Sequence, residues 1–177
     1  MAYAVLTVRW ALAGVFLVSA AAKARAFRDT LTMVEPLLLR AARPVARPLT
    51  RPAALLLIAA EAATGLALLG GAPTAGPGLV AALVLTAGFT ALAVLATVSR
   101  TEVKCACFGR PAARLGPRHV VRNALLLGLA CLGLWGPEAA AVSASAGPAL
   151  VICATAAVVV TAVTAFYDDI VDLVKIP

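Results

Sequence analysis

Two cysteines separated by one residue stand in the segment Lys104-Cys105-Ala106-Cys107-Phe108-Gly109-Arg110. Thiols at that spacing can close on each other as a strained disulfide, exchange with the thiols of a partner, or give two ligands to a metal ion. The thiolate is the reactive form, and Lys104 and Arg110 favour it electrostatically. A strained pair is comparatively oxidising. A metal site needs at least two further ligands, usually Cys or His. His119 is the only histidine, and Cys131 and Cys153 lie within apolar runs, so no metal is expected. The bland alternative for a lone C-x-C is two small loop residues without chemistry.

Glu61 is the other residue whose type and setting suggest chemistry. It falls well inside an apolar stretch, where a centred acid costs about 2.5–3.5 kcal/mol on insertion scales. It is expected to face the interior as a proton carrier, as the partner of Lys23 or Arg122, or as a hydrogen-bond acceptor from Ser, Thr or Asn on a neighbouring helix. Arg122 and Asn123 open a later apolar run on the side of the C-x-C. They serve either to orient that loop or to anchor the helix at the interface, with Arg122 reaching toward the headgroups. His119 reads as an interfacial residue, with proton transfer as its alternative. Cys131 and Cys153 fall at similar depths in two runs and could meet as an outer pair. About 20 Å of helix separates residue 131 from residue 118, which argues against direct exchange with the C-x-C and favours plain packing.

The elements that must carry these residues follow from composition. Of 177 residues, 63% are hydrophobic and 13% charged, against about 45–50% and about 25% in soluble domains; the mean hydropathy is +1.01. Such a chain cannot cover a water-facing surface. In lipid every backbone group must be paired internally, and the Ala-, Leu- and Val-rich runs lack the alternation of a barrel, so an all-α integral membrane bundle is expected. About 20 apolar residues cross the hydrocarbon. Four runs are clear, at about 5–22, 52–70, 79–99 and 148–166; a shorter run at about 120–136 carries Arg122 and Asn123. The expected architecture is a four-helix-type transmembrane bundle with a fifth, C-terminal span, in one domain over 1–177 with its core at about 3–136. Pro52, Pro77 and Pro148 are read as helix starts, and residues 72–78 as a Gly-Pro turn. Ala20-Ala21-Ala22 resembles a signal-peptide cleavage site, but Arg9 inside the first run is not a normal basic leader.

Loop charge gives an orientation. Lys23, Arg25, Arg28, Arg40, Arg43, Arg47 and Arg51 lie between the first two runs, and Arg100, Lys104, Arg110, Arg114 and Arg118 between the third and fourth. The two remaining connections, 72–78 and 136–147, hold no Lys or Arg. Both basic loops, and the C-x-C with them, are therefore expected in the cytoplasm, with the N-terminus outside. The net charge of +7 reads as topology and lipid attraction, not as a nucleic-acid footprint. Phe27, Leu31, Val34, Leu37 and Leu38 alternate with Arg28, Asp29 and Glu35 as a short interfacial helix, interrupted at Pro36.

Several motifs together give the chain a family resemblance. Phe16-Leu17-Val18-Ser19-Ala20-Ala21-Ala22-Lys23 resembles a first-helix ending F-x-x-S/A-G-x-x-K, with Ala21 where glycine is commoner. Phe27-Arg28 continues into an interfacial stretch, and Glu61-Ala62-Ala63-Thr64-Gly65 is similar to E-x-x-x-G in the second helix. Cys105-Ala106-Cys107-Phe108-Gly109 is the most specific element, and Arg122-Asn123 opens the next helix. The chain so resembles the MauE branch of the MauE/DoxX-like membrane proteins, up to about Leu134. The resemblance implies a bacterial cytoplasmic-membrane protein working beside a thioredoxin-like partner, forming or relaying disulfides for a client such as methylamine dehydrogenase.

Three functions are weighed. In the first, Cys105 and Cys107 cycle between dithiol and disulfide with a thioredoxin-like protein and a quinone as candidate acceptor, supported by Lys104, Phe108, Gly109, Glu61, Arg122, Asn123 and Lys23. In the second, the chain is a non-catalytic anchor that docks a soluble redox partner through its basic loops. A small transporter is third, weakened because Glu61 is the clear intramembrane charge and no discontinuous helix pair stands out. A cytoplasmic C-x-C sits where thiols are normally kept reduced, which leaves the direction of electron flow open.

Overall fold

A computed structural model describes residues 2–41, 46–98, 104–105, 113–114, 117–135, 147–167 and 171. Among these, helices dominate: α1 (Ala2–Arg25), α2 (Phe27–Ala41), α3 (Ala46–Leu69), α4 (Ala72–Val98), α5 (Pro117–Trp135) and α6 (Gly147–Ala165). Two short strands, β1 (Lys104–Cys105) and β2 (Ala113–Arg114), pair antiparallel between α4 and α5, with Lys104 opposite Arg114 and Cys105 opposite Ala113.

The helices form a ring of four. α1 packs on α3, α3 on α4, α4 on α5, and α5 returns to α1. Leu12 and Phe16 of α1, Leu68 of α3, Leu79 of α4, and Leu126 and Ala130 of α5 meet at the centre. α6 lies outside this ring against α1. Its crossing is close because Gly14 has no side chain: a Cβ there would collide with Thr161, whose hydroxyl hydrogen-bonds the carbonyls of Ala11 and Ala157 at 3.2 and 2.8 Å. Small residues at such crossings let helix backbones approach in lipid. The outer face of α6 presents Val151, Ile152, Val158, Val159 and Val163, a surface suited to hydrocarbon and not to water.

Among the described residues, four helices are long and apolar enough to cross a membrane: Tyr3–Arg25, Pro48–Leu69, Pro73–Leu95 and Gly147–Ala165. The short fourth run forms α5 and completes the ring, although Arg118, His119, Arg122 and Asn123 in its first turns dilute its hydropathy. The four-helix bundle with an added C-terminal span is therefore the observed architecture.

Local differences from the sequence reading lie at prolines. Residues 72–78 are not a turn but the start of α4. Pro73 stands in the first turn, where no N–H is needed, and Pro77 deprives only the exposed Pro73 carbonyl of a partner. α3 likewise begins at Ala46, ahead of Pro52. α2 runs through Pro36 unbroken, because Pro36 and Thr32, whose carbonyl loses its bond, are on the exposed face. The buried face of α2, with Met33 and Val34, packs on Ala54 of α3.

Candidate functional site

α1 and α3 are antiparallel, and three contacts measure their register. At one end Arg9, buried inside α1, donates from Nη2 to the carbonyl of Gly70 at 2.7 Å and to that of Leu68 at 3.1 Å. A cation there satisfies the open carbonyls at the C-terminus of α3 and complements its dipole. In the middle Gly65 faces Leu17; a Cβ at Gly65 would stand 2.7 Å from Leu17 Cγ and 3.2 Å from the Ala13 carbonyl. At the other end Lys23 meets Glu61.

That last contact is a closed polar cluster. Lys23 Nζ lies 2.7 Å from Glu61 Oε1 and 2.9 Å from Oε2. It also donates to Ser19 Oγ at 2.6 Å, and the Ser19 hydroxyl reaches Glu61 Oε1 at 3.3 Å. Ser19 and Lys23 are one turn apart, and a helical side chain leans toward the N-terminus, so Lys23 turns back along α1 into the bundle. Both Lys23 and Glu61 are 0% exposed. The Phe89 ring of α4 closes the cluster, its centroid 5.3 Å from Nζ, within cation–π range.

The start of α5 comes to the same end of the bundle. His119, Arg122 and Asn123 are all buried there, and the charge of Arg122 is near enough to act on Lys23. Thr30, the fully buried polar residue of α2, donates to the carbonyl of Lys23 at 3.1 Å. β1, with Cys105, lies against α2.

The sequence reading is thus met in part. Of the candidate partners for Glu61, Lys23 with Ser19 makes the direct contact. Lys23, counted among the basic loop residues, is instead a buried cation inside the bundle; Arg25, Arg28 and Arg51, at the ends of α1, α2 and α3, remain exposed. Cys107, Phe108 and Gly109 lie outside the described residues, and of Lys104 and Cys105 only the strand backbone is described. Cys131 and Cys153 are free thiols. Cys153 turns to α1, with Sγ 3.6 Å from the Tyr3 carbonyl, while Cys131 is in the ring on α5. Arg9, Thr30 and Phe89 were not singled out as site residues. An arginine inside an apolar run is itself a signal; nothing in the pattern marks Phe89.

The two motifs that looked separate are now halves of one crossing: Ser19 and Lys23 on α1 receive Glu61 and Gly65 on α3. Residues 1–136 match the family of methylamine utilisation protein MauE. The chain belongs to that family. The MauE match ends just after α5, so the ring, α2 and the hairpin fall within it and α6 lies beyond. With its apolar helices, this MauE-family chain is a multi-pass membrane protein. Ala21, the departure from the motif's glycine, is exposed and leaves the Lys23–Glu61 contact intact. No curated protein and no solved structure matches the chain.

Proposed function

We propose that this chain is a membrane thiol-redox protein in which Cys105 and Cys107 form and pass on a disulfide. The observation that carries this reading is the packing of β1, with Cys105, against α2. α2 is itself anchored to α3 through Met33, Val34 and Ala54, so β1 bears on a helix fixed to the bundle. In exchange, the two thiols reduce the disulfide of a thioredoxin-like partner; two S–H bonds and one S–S bond are traded, and the reverse direction balances equally. Lys104 and Arg110 favour the attacking thiolate. Arg122 and Asn123, just after the hairpin, hold it against the bundle. Loop charge puts this end in the cytoplasm of a bacterial inner membrane. A methylamine dehydrogenase-like protein is a candidate client.

A quinone finds little polar anchorage in one groove among the described residues. That groove, about 550 Å³ between α1 and α6, is lined by hydrocarbon with Trp10 and Thr161 as its polar members. The Thr161 hydroxyl is committed to two carbonyls.

A second reading has its own support. The Lys23–Glu61 cluster is sealed from solvent, as a structural lock would be, and a locked bundle suits a non-catalytic anchor for a soluble redox partner. Membrane-impermeant maleimide on oriented vesicles, with and without reductant, separates the two. Labelling of Cys105 and Cys107 that appears only after reduction supports the redox reading, and the labelled side identifies the compartment. Free thiols under every condition, with full client maturation by a double-serine variant, leave the anchor.

A further inference from the structure

α1 and α6 run parallel, since Cys153 meets the Tyr3 carbonyl and Thr161 that of Ala11. They cross closely at Gly14 and leave beside the crossing a groove of about 550 Å³. Leu17, Ala154 and Ala162 line its length, with Trp10 and Leu69 toward one end and Phe166 toward the other. Trp10 and Leu69 share the level at which Arg9 holds the carbonyls of Leu68 and Gly70. There α3 ends and α4 begins at Ala72, so the groove opens near a membrane surface. From that end it follows residues 154–165 of α6, about 17 Å of helix. One leaflet of the hydrocarbon core is about 15 Å deep.

The body of the groove suits neither water nor a polar ligand. The Thr161 hydroxyl is committed to carbonyls, and Trp10 alone of the other lining residues carries a polar side-chain group. An apolar void beside lipid stays dry and forfeits dispersion contacts unless hydrocarbon enters it. At the mouth the setting changes. Arg9, next in sequence to Trp10, adds a positive charge there, and indole rings favour the headgroup level. A hydrocarbon slot with a cation at its open end complements an amphiphile with an anionic head.

We propose that the groove between α1 and α6 binds one acyl chain of an anionic phospholipid, with the headgroup at the Arg9 end. Arg9 acts on the headgroup through its charge, while its bonds to the end of α3 stay in place. α6 supplies much of the wall and lies beyond the residues that match the MauE family, so the site depends on this chain's added helix. It is independent of the thiol-redox reading.

The test uses Trp10 as its reporter. Trp135 is the other tryptophan, and Trp135→Phe leaves Trp10 alone to fluoresce. This full-length protein is reconstituted in phosphatidylcholine vesicles that carry a low, matched fraction of brominated phosphatidylglycerol or brominated phosphatidylcholine. Bromine near the headgroup end of the chain quenches indole fluorescence on contact. Brominated phosphatidylglycerol is expected to be about fivefold the more effective quencher, from one cation acting on an anionic head. Ala154→Phe with Ala162→Phe fills the slot without altering Gly14 or Thr161, and should abolish the preference. Should that variant not fold, Ala165→Leu obstructs the same wall with less bulk and is read in the same way. Arg9→Gln removes the charge and keeps a donor; the two lipids should then quench alike, both more than in the filled groove. Equal quenching by the two lipids in the unfilled groove with Arg9 present overturns the proposal, because it describes ordinary boundary lipid. So does a preference that survives filling. A Trp10 shielded from both lipids, as a helix of a second copy would shield it, also overturns it.

Discussion

Lys23 and Glu61 form a salt bridge of 2.7 Å across the α1–α3 crossing, both fully buried. A charge in that position costs several kcal/mol unless it is paired and hydrogen-bonded. Ser19 and the Phe89 ring supply the remaining contacts of the ammonium. The pair thus defines which faces of α1 and α3 must meet, since any rotation of either helix strands a charge in an apolar setting.

Removing one member should be far worse than removing both. Glu61→Ala or Lys23→Ala leaves a buried charge alone and is expected to destabilise the bundle by about 3–5 kcal/mol. The double replacement Lys23→Met and Glu61→Met should recover most of that loss. Thermal unfolding in detergent micelles gives the comparison; a double variant no more stable than the singles would contradict it.

Gly65 should not tolerate a side chain unless Leu17 gives way. Gly65→Val drives a Cβ to 2.7 Å from Leu17 Cγ, and overpacking of this kind costs about 1–3 kcal/mol. Leu17→Ala in the same chain should restore part of the stability. Denaturant unfolding of the two single variants and the double variant tests this, and strict additivity would show that the two residues do not touch.

Arg9 is predicted to be a stabilising cap and not part of the redox site. Arg9→Met removes the donors to Leu68 and Gly70, and a hydrogen bond to a charged group contributes about 1.5–3 kcal/mol. The melting temperature should fall while the dithiol–disulfide equilibrium of Cys105 and Cys107 stays put. A shifted equilibrium in a folded Arg9→Met protein would mean that the two ends of the bundle communicate.

Cys131 and Cys153 are predicted to be packing residues. Replacing both by Ala should leave the redox state of Cys105 and Cys107 unchanged, as counted by maleimide labelling before and after reduction. Loss of C-x-C oxidation in that variant would revive an outer thiol pair as a relay.

Much of this protein was legible in its sequence for a simple reason: a lipid solvent demands long, internally hydrogen-bonded apolar segments, and composition reports them directly. The all-α bundle and the extra C-terminal helix are of that kind. The prolines misled because their cost depends on which carbonyl loses its partner. At Thr32 that carbonyl is on an exposed face, and at Pro73 it is at an exposed helix start. The motifs S-x-x-x-K and E-x-x-x-G each marked one helix face, since residues four apart share a face.

Only the tertiary structure decided that these two faces belong to each other. Lys23 and Glu61 are 38 positions apart, and helical periodicity gives the direction of a side chain but neither its neighbour nor its depth. A lysine at the end of a span can reach outward to the headgroups or turn inward. Lys23 turns inward because Ser19, Glu61 and Phe89, from three different helices, stand within reach of one ammonium. The same holds for Thr30, an ordinary helix residue by type, whose hydroxyl meets the carbonyl of Lys23 only through the way α2 follows α1.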